Sequence, residues 1–243
     1  MRNRKGRLIK ELRAEREKIA GIPGTGKKIS YIWGYYKLWI IGIVFSIWFI
    51  TFAVRQYTTN LSDNTDAIDR LRIQYGTSFG YPASCVGAHV SICPNEQNGR
   101  VTPLNTRGIV AMSGTFGYEL NPEKLTEEEK EEIRGQVARR KQLAGLIHEG
   151  SYHRLTDPFD GECAAWAFVS EDKSEALLNV VNLEIHGNRP ITYVRMRGLE
   201  SGAMYRDEES GRVYPADALM QAGLPMPVPT GEYGALQILF KRV

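Results

Sequence analysis

The sequence predicts a mixed α/β region followed by an all-β region, the two set behind one N-terminal transmembrane helix. Three observations predict it. A charge-free apolar run fills 38–54, residues 67–147 interleave short apolar pieces with one long helical pattern, and from Ser151 onward strand signals dominate. With 243 residues and 42% hydrophobic side chains the chain has enough apolar surface for a substantial core.

The first segment, 1–37, reads as a basic cytoplasmic tail and linker. The formal net charge is +3, but residues 1–37 hold 11 Lys/Arg against 3 Glu, which leaves 20 basic and 25 acidic residues for 38–243. The body is slightly acidic, so nucleic-acid binding by it loses its electrostatic support. Arg7–Ala20, RLIKELRAEREKIA, fits a basic helix, either against anionic lipid or, more commonly, solvated. Gly21–Lys28, GIPGTGKK, satisfies G-x-x-x-x-G-K, yet Lys28 stands where a phosphate loop needs Ser or Thr, and no β pattern precedes it. It reads as a Gly/Pro linker.

Residues 38–54, LWIIGIVFSIWFITFAV, form the expected span, bounded by Lys37 and Arg55 with Tyr31, Trp33, Tyr35 and Tyr36 at its N-terminal interface. About 17 apolar residues lie near the lower limit for a hydrocarbon core of roughly 30 Å. The basic excess ahead of it predicts a single-pass membrane protein with a cytoplasmic N-terminus, anchored without cleavage. A cytoplasmic chain is the alternative.

Beyond Arg55, the pieces IQYGTSFGY, GAHVSI and IVAMSGTFGY have strand character, and NEQNGRVTPLNTRG reads as loop or short helix. The long helix lies in LTEEEKEEIRGQVARRKQLAGLIHEG, with Thr126 and Glu129 as a capping box, acidic residues in the first turns and Gly150 as its stop. CAAWAFVS and EALLNVVNLEI follow as strands about a tight EDK turn. PITYVRMRGL, AMYRDEESGRVYP and YGALQILFKRV read as further strands, and ADALMQAG as a short helical piece ending at Gly223. This spacing suggests an antiparallel sandwich.

Cys85, Cys93 and Cys163 lack C-x-x-C spacing, and His89, His148, His153 and His186 are scattered, so no metal or cofactor site is expected. The chemistry-bearing feature is SDNTDAIDRL, where Asp63, Asp66 and Asp69 recur every third residue. Ser62 or Asp63 can cap a helix beginning near Thr65, and Asp63 can equally be a catalytic acid. Asp66 and Asp69 read as structural, with Asp69 or Arg70 in ion pairs.

The ordered blocks SDNTDAIDRLRIQYGTS, YPASCVGAHVS, PNEQNGRVTPLNTRG, VAMSGTFGYEL, SEDKSEAL and AGLP resemble the last part of a bacterial α-galactosidase of glycoside hydrolase family 36, a melibiase. The resemblance covers about 180 residues from Ser62 on. It implies that 62–147 are terminal strands and helices of an incomplete (β/α)8 barrel and that 151–243 are the antiparallel β-sandwich domain. It also implies retaining hydrolysis of terminal α-galactosides such as melibiose and raffinose, with Asp63 as general acid/base. The family nucleophile lies in a K-W-D-x-N motif, and these 243 residues hold neither Lys-x-Asp nor Trp-Asp. The expectation is therefore a C-terminal portion without its nucleophile, inactive alone, with an α-galactoside as substrate and a second copy or a completing chain as partner. A membrane-tethered, non-catalytic β-module that binds carbohydrate or another partner is the alternative.

Overall fold

The computed structural model describes residues 2–187, 191–227 and 231–243; within its helices, the side chains of 2–9, 11–12, 32, 35–36, 38–40 and 52–63 are not described. The chain divides into two compact units, Met1–Thr59 and Asn60–Val243.

The first unit is helical. Helix α1, Arg2–Gly21, ends at a bend that includes Gly24 with φ 84°, and α2, Thr25–Asp63, follows. The phosphate-loop-like GIPGTGKK is thus the junction of two helices, without a strand before it. The run 38–54, expected to span a membrane, lies inside α2. Among the described residues no helix is long and apolar enough to cross a membrane. Side chains are described continuously only over 41–51 of that run. The single-pass anchor, the membrane as partner and the single-pass localisation thus find no support among the described residues, and the ends of the run, 38–40 and 52–54, lie outside them.

In the second unit α3, Ala67–Thr77, is followed by a parallel pair, β1 (Val90–Ser91) and β2 (Tyr118–Glu119), connected through α4, Leu104–Met112. Two pieces expected as strands are helical here. Ile73–Thr77 of IQYGTSFGY belongs to α3, because Asp66 starts a helix whose Ile68, Leu71 and Gln74 share a buried face. Ile109–Met112 of IVAMSGTFGY belongs to α4, which is buried continuously from Thr106 to Met112, so no amphipathic period marks it. Helix α5, Glu127–Glu149, has the expected capping box between Thr126 and Glu129 and ends at Gly150. Gly108 lets α4 approach α5, since a Cβ there would collide with the Gln136 amide.

The all-β part is a six-stranded antiparallel sheet in the order β3-β4-β5-β10-β7-β8. Its strands are β3 (Ser151–Arg154), β4 (Cys163–Val169), β5 (Glu175–Asn182), β7 (Met204–Asp207), β8 (Val213–Pro215) and β10 (Ala235–Arg242). A small pair, β6 (Tyr193–Val194) with β9 (Leu224–Pro225), and helix α6, Ala216–Gln221, complete it. The β4–β5 hairpin turns through Lys173 at φ 56°.

Alternation along these strands feeds two cores. Ala165, Ala167, Leu178, Val180, Ile238 and Phe240 face one side, where Val194 of β6, Leu219 of α6 and Leu224 of β9 cover them. Trp166, Phe168, Leu177 and Leu239 face the other, against Ile68 and Leu71 of α3, Val110 and Met112 of α4, and Leu143 and Ile147 of α5. The expected two-sheet sandwich is thus corrected to one large sheet covered by helices on one side and by a two-stranded pair plus α6 on the other. Sequence periodicity reports that a strand is covered, not whether a sheet or helices cover it. One apolar cluster runs across the 147/151 boundary, which ties the α/β part to the sheet.

Candidate functional site

The SDNTD segment, 62–66, runs from the last two residues of α2 to the cap of α3. Asp63 is the last residue of α2, and its side chain lies outside the described residues. Asn64–Asp66 then form a sharp turn, in which Asn64 Oδ1 accepts from Asp66 N at 2.9 Å. The helix cap is Asp66, not Ser62 or Asp63. Its Oδ1 accepts from Ile68 N (3.0 Å) and Asp69 N (2.9 Å), leaving the preceding residues outside α3.

The loop after β1 clamps this turn. Asn95 Nδ2 donates to Thr65 Oγ1 at 2.9 Å, Thr65 N donates to Gln97 Oε1 at 3.2 Å, and Arg100 pairs with Asp66. Arg100 also lies 3.5 Å from Asp69 and over the Tyr233 ring at 5.4 Å from its centroid. Asp69 pairs in addition with Arg72 at 3.5 Å, as expected of a structural aspartate.

Behind the turn, Arg70 is 2% exposed. It donates to the carbonyls of Gly87 (2.8 Å) and Asn64 and meets the His89 ring, with Nη1 at 3.2 Å from Nδ1. His89 Nε2 faces Glu119 Oε2 at 2.8 Å. A neutral His89 carrying its proton on Nε2 donates to Glu119 and accepts from Arg70 Nη1 through Nδ1, while Arg70 Nη2, 3.0 Å from Nε2, meets that nitrogen as a second donor. Burial, then the Arg70 charge, pushes the His89 pKa down against the pull of Glu119, which favours this neutral form. Desolvation likewise lowers Arg70, opposed by Glu119 and Asp66.

Ser91 and Glu119 end the parallel strands on this side of the unit. Arg107 caps the same end through Thr102 O at 3.0 Å and Ser91 O. The arrangement fixes the backbone immediately after residue 63 and surrounds it with guanidinium groups already committed to carbonyls, His89 and Asp66. It supplies an anchored platform for whatever residue 63 does. Sequence reading missed Asn95, Arg100, His89 and Glu119 as parts of it and named Arg70 only for ion pairing, since partners 17 to 34 residues apart leave no local pattern. Among the described residues no group of three or more His, Cys, Asp or Glu is placed to hold a metal.

Comparison with known proteins fits this arrangement. Residues 47–150 match the family described as Melibiase, and residues 163–240 match the glycosyl hydrolase family 36 C-terminal domain. The chain is 57% identical over 179 residues to a bifunctional alpha-galactosidase/sucrose kinase of Mediterraneibacter gnavus, covering 74% of this chain and 19% of that protein. It is 50% identical over 182 residues to an alpha-galactosidase of Geobacillus stearothermophilus, covering 75% of this chain and 25% of the relative. The solved galactosidase domain of an alpha-galactosidase–sucrose kinase superposes with a TM-score of 0.73 at 56% identity, over 74% of this chain and 25% of that one. A crystal structure of the family 36 enzyme from Geobacillus stearothermophilus gives 0.72 at 49%, with the same coverage. The chain spans a quarter or less of the relatives it matches.

Proposed function

We propose, from the premise that this chain belongs to the glycoside hydrolase family 36 α-galactosidases, that it is the acid/base-bearing C-terminal portion of a retaining α-galactosidase and turns nothing over alone. The observation that carries the reading is the SDNTD segment, in which Asp63 is followed by a turn that Asn95, Gln97 and Arg100 hold in place. In this reading 62–147 are the last strands and helices of a (β/α)8 barrel. The parallel β1–α4–β2 unit supports this, since Asp66, Ser91 and Glu119 gather near the end of its strands where such barrels place their chemistry.

Retaining hydrolysis needs two carboxylates. A nucleophile attacks the anomeric carbon as Asp63 gives its proton to the leaving glycosidic oxygen. Asp63, now a carboxylate, then takes a proton from water as that water's oxygen displaces the nucleophile. The first step needs Asp63 protonated at working pH, hence a desolvated carboxyl beside a second negative charge. The nucleophile has to come from a chain carrying the K-W-D-x-N segment. A solved complex of the Geobacillus stearothermophilus enzyme contains raffinose, so a terminal α-galactoside is the substrate proposed.

The test mixes this chain with a polypeptide comprising the part of the Geobacillus stearothermophilus relative that it does not span, and follows hydrolysis of a chromogenic α-galactoside. Turnover is expected in the mixture, not with either piece, and is expected to vanish with Asp63→Asn. Turnover insensitive to Asp63→Asn, or a stable complex of the two pieces without turnover, overturns the reading.

A further inference from the structure

Tyr233 takes a left-handed backbone conformation, φ 59°, although Gly234, a residue that adopts it without cost, follows directly. For a bulky side chain this is a strained geometry that persists only where its surroundings over-determine it. Here they do. Thr106 Oγ1 donates to Tyr233 O, Asn182 N donates to Gly234 O at 2.9 Å, and Asn105 Nδ2 donates to Ala235 O at 3.3 Å. The loop before β10 is thus pinned to α4 and to the end of β5, and the position of the Tyr233 ring is set by its backbone.

That ring lies under the Arg100 guanidinium, whose Cζ is 5.4 Å from the ring centroid, within the range of cation–π attraction. Arg100 in turn pairs with Asp66, the cap of α3, and reaches Asp69 at 3.5 Å. Asp66 is 1% exposed, so its charge depends on that partner. The Arg100 side chain is itself 23% exposed and long, with several rotamers open to it, and a fixed ring beneath the guanidinium favours the one that meets Asp66.

We propose that Tyr233 is a positioning residue for the turn after Asp63: its ring holds Arg100 on Asp66, and that pair holds Asn64–Asp66 in place. The link from Tyr233 to the turn is a property of the chain itself; its bearing on hydrolysis rests on the acid/base role proposed for Asp63. Amide hydrogen exchange and the proton spectrum of the full chain test the link, with Tyr233→Leu, Tyr233→Asn and Tyr233→Phe as variants. Leu removes the aromatic face and keeps apolar packing, whereas Asn removes the ring and suits the left-handed backbone, so strain cannot explain its effect. Phe keeps the ring. In the wild-type chain the Arg100 side-chain protons are expected upfield of their ordinary position, shifted by the ring. Exchange of the Asp66, Ile68 and Asp69 amides, which the turn and its cap hold, is expected to quicken about tenfold in the Leu and Asn variants, with α5 unchanged, and to keep the wild-type rate in Phe. In the two-piece mixture the Leu and Asn variants should lower kcat and leave KM, and a mixture inactive with the wild-type chain counts against the Asp63 reading while the exchange rates still decide the role of Tyr233. Unshifted Arg100 protons, turn amides indifferent to loss of the ring, exchange that quickens equally in α5, or an unaltered kcat in an active mixture overturns the proposal.

Discussion

Between β4 and β5 the interior consists of Ala165, Trp166, Ala167, Phe168, Leu177 and Leu178, whereas around β1 and α4 it includes Arg70, Thr106, Arg107 and Asn95. Of the fourteen buried polar residues among those described, twelve lie between Asp66 and Arg140, and only Asn179 and Asp207 belong to the sheet part. Buried side-chain atoms without a hydrogen-bond partner follow the same division. Among the described residues Asp66 Oδ2, Arg70 Nε, Ser91 Oγ and Thr102 Oγ1 surround the end of β1, Arg139 Nη2 and Arg140 Nε lie on α5, and the sheet has Asn179 Nδ2 on β5. The sheet is held by apolar area, which tolerates local error; the β1 end is held by a hydrogen-bond network, in which each lost partner strands another. Fold and site are thus stabilised by different means within one compact unit.

The contrast can be broken by substitution. Phe240 is 0% exposed at the centre of the sheet core, and Phe240→Ala should cost about 3–5 kcal/mol by denaturant unfolding. Arg70→Met keeps volume but orphans the Gly87 and Asn64 carbonyls, and should cost about 2 kcal/mol. A loss equal to that of Phe240→Ala would erase the distinction between the two regions. Thr126→Ala removes the capping box of α5, which both regions share, and should cost about 1 kcal/mol.

The smallest effect is expected at the β4–β5 turn, outside either interior. Hydrogen bonds from Ser174 N, Ser174 Oγ and Ser170 Oγ hold the Asp172 pKa at about 2, below the usual aspartate value. A depressed folded pKa means the ionised form is favoured by folding. Its stabilisation is complete above about pH 4 and is lost as pH falls towards 2. The stability difference between the wild-type chain and Asp172→Ala should shrink over that window in acid unfolding curves, and a difference constant with pH would contradict the assignment.

How much of this was legible in the sequence follows the same division. The β4–β5 hairpin and α5 could be read because their signals are local: alternation about a tight turn, and a cap four residues long. The second half of α4, Ile109–Met112, was read as strand because Thr106–Met112 are buried on every side, which removes the period that distinguishes helix from strand. The coverage of the sheet was misassigned because burial says nothing of what lies across it. Of the candidate site, SDNTD stood out through its evenly spaced aspartates, and the role of Asp63 through resemblance to a family. Its clamp, Asn95 to Thr65 and Arg100 to Asp66, joins residues 30 and 34 apart, a pairing that only the folded chain displays.

The proposed division of labour is that this chain carries the general acid/base of a retaining α-galactosidase and not its nucleophile. It is tested most directly by incubating the purified chain with a fluorinated α-galactosyl fluoride that traps the glycosyl-enzyme, and measuring intact mass. An unmodified chain is expected. A stoichiometric galactosyl adduct on one of its own carboxylates would contradict it.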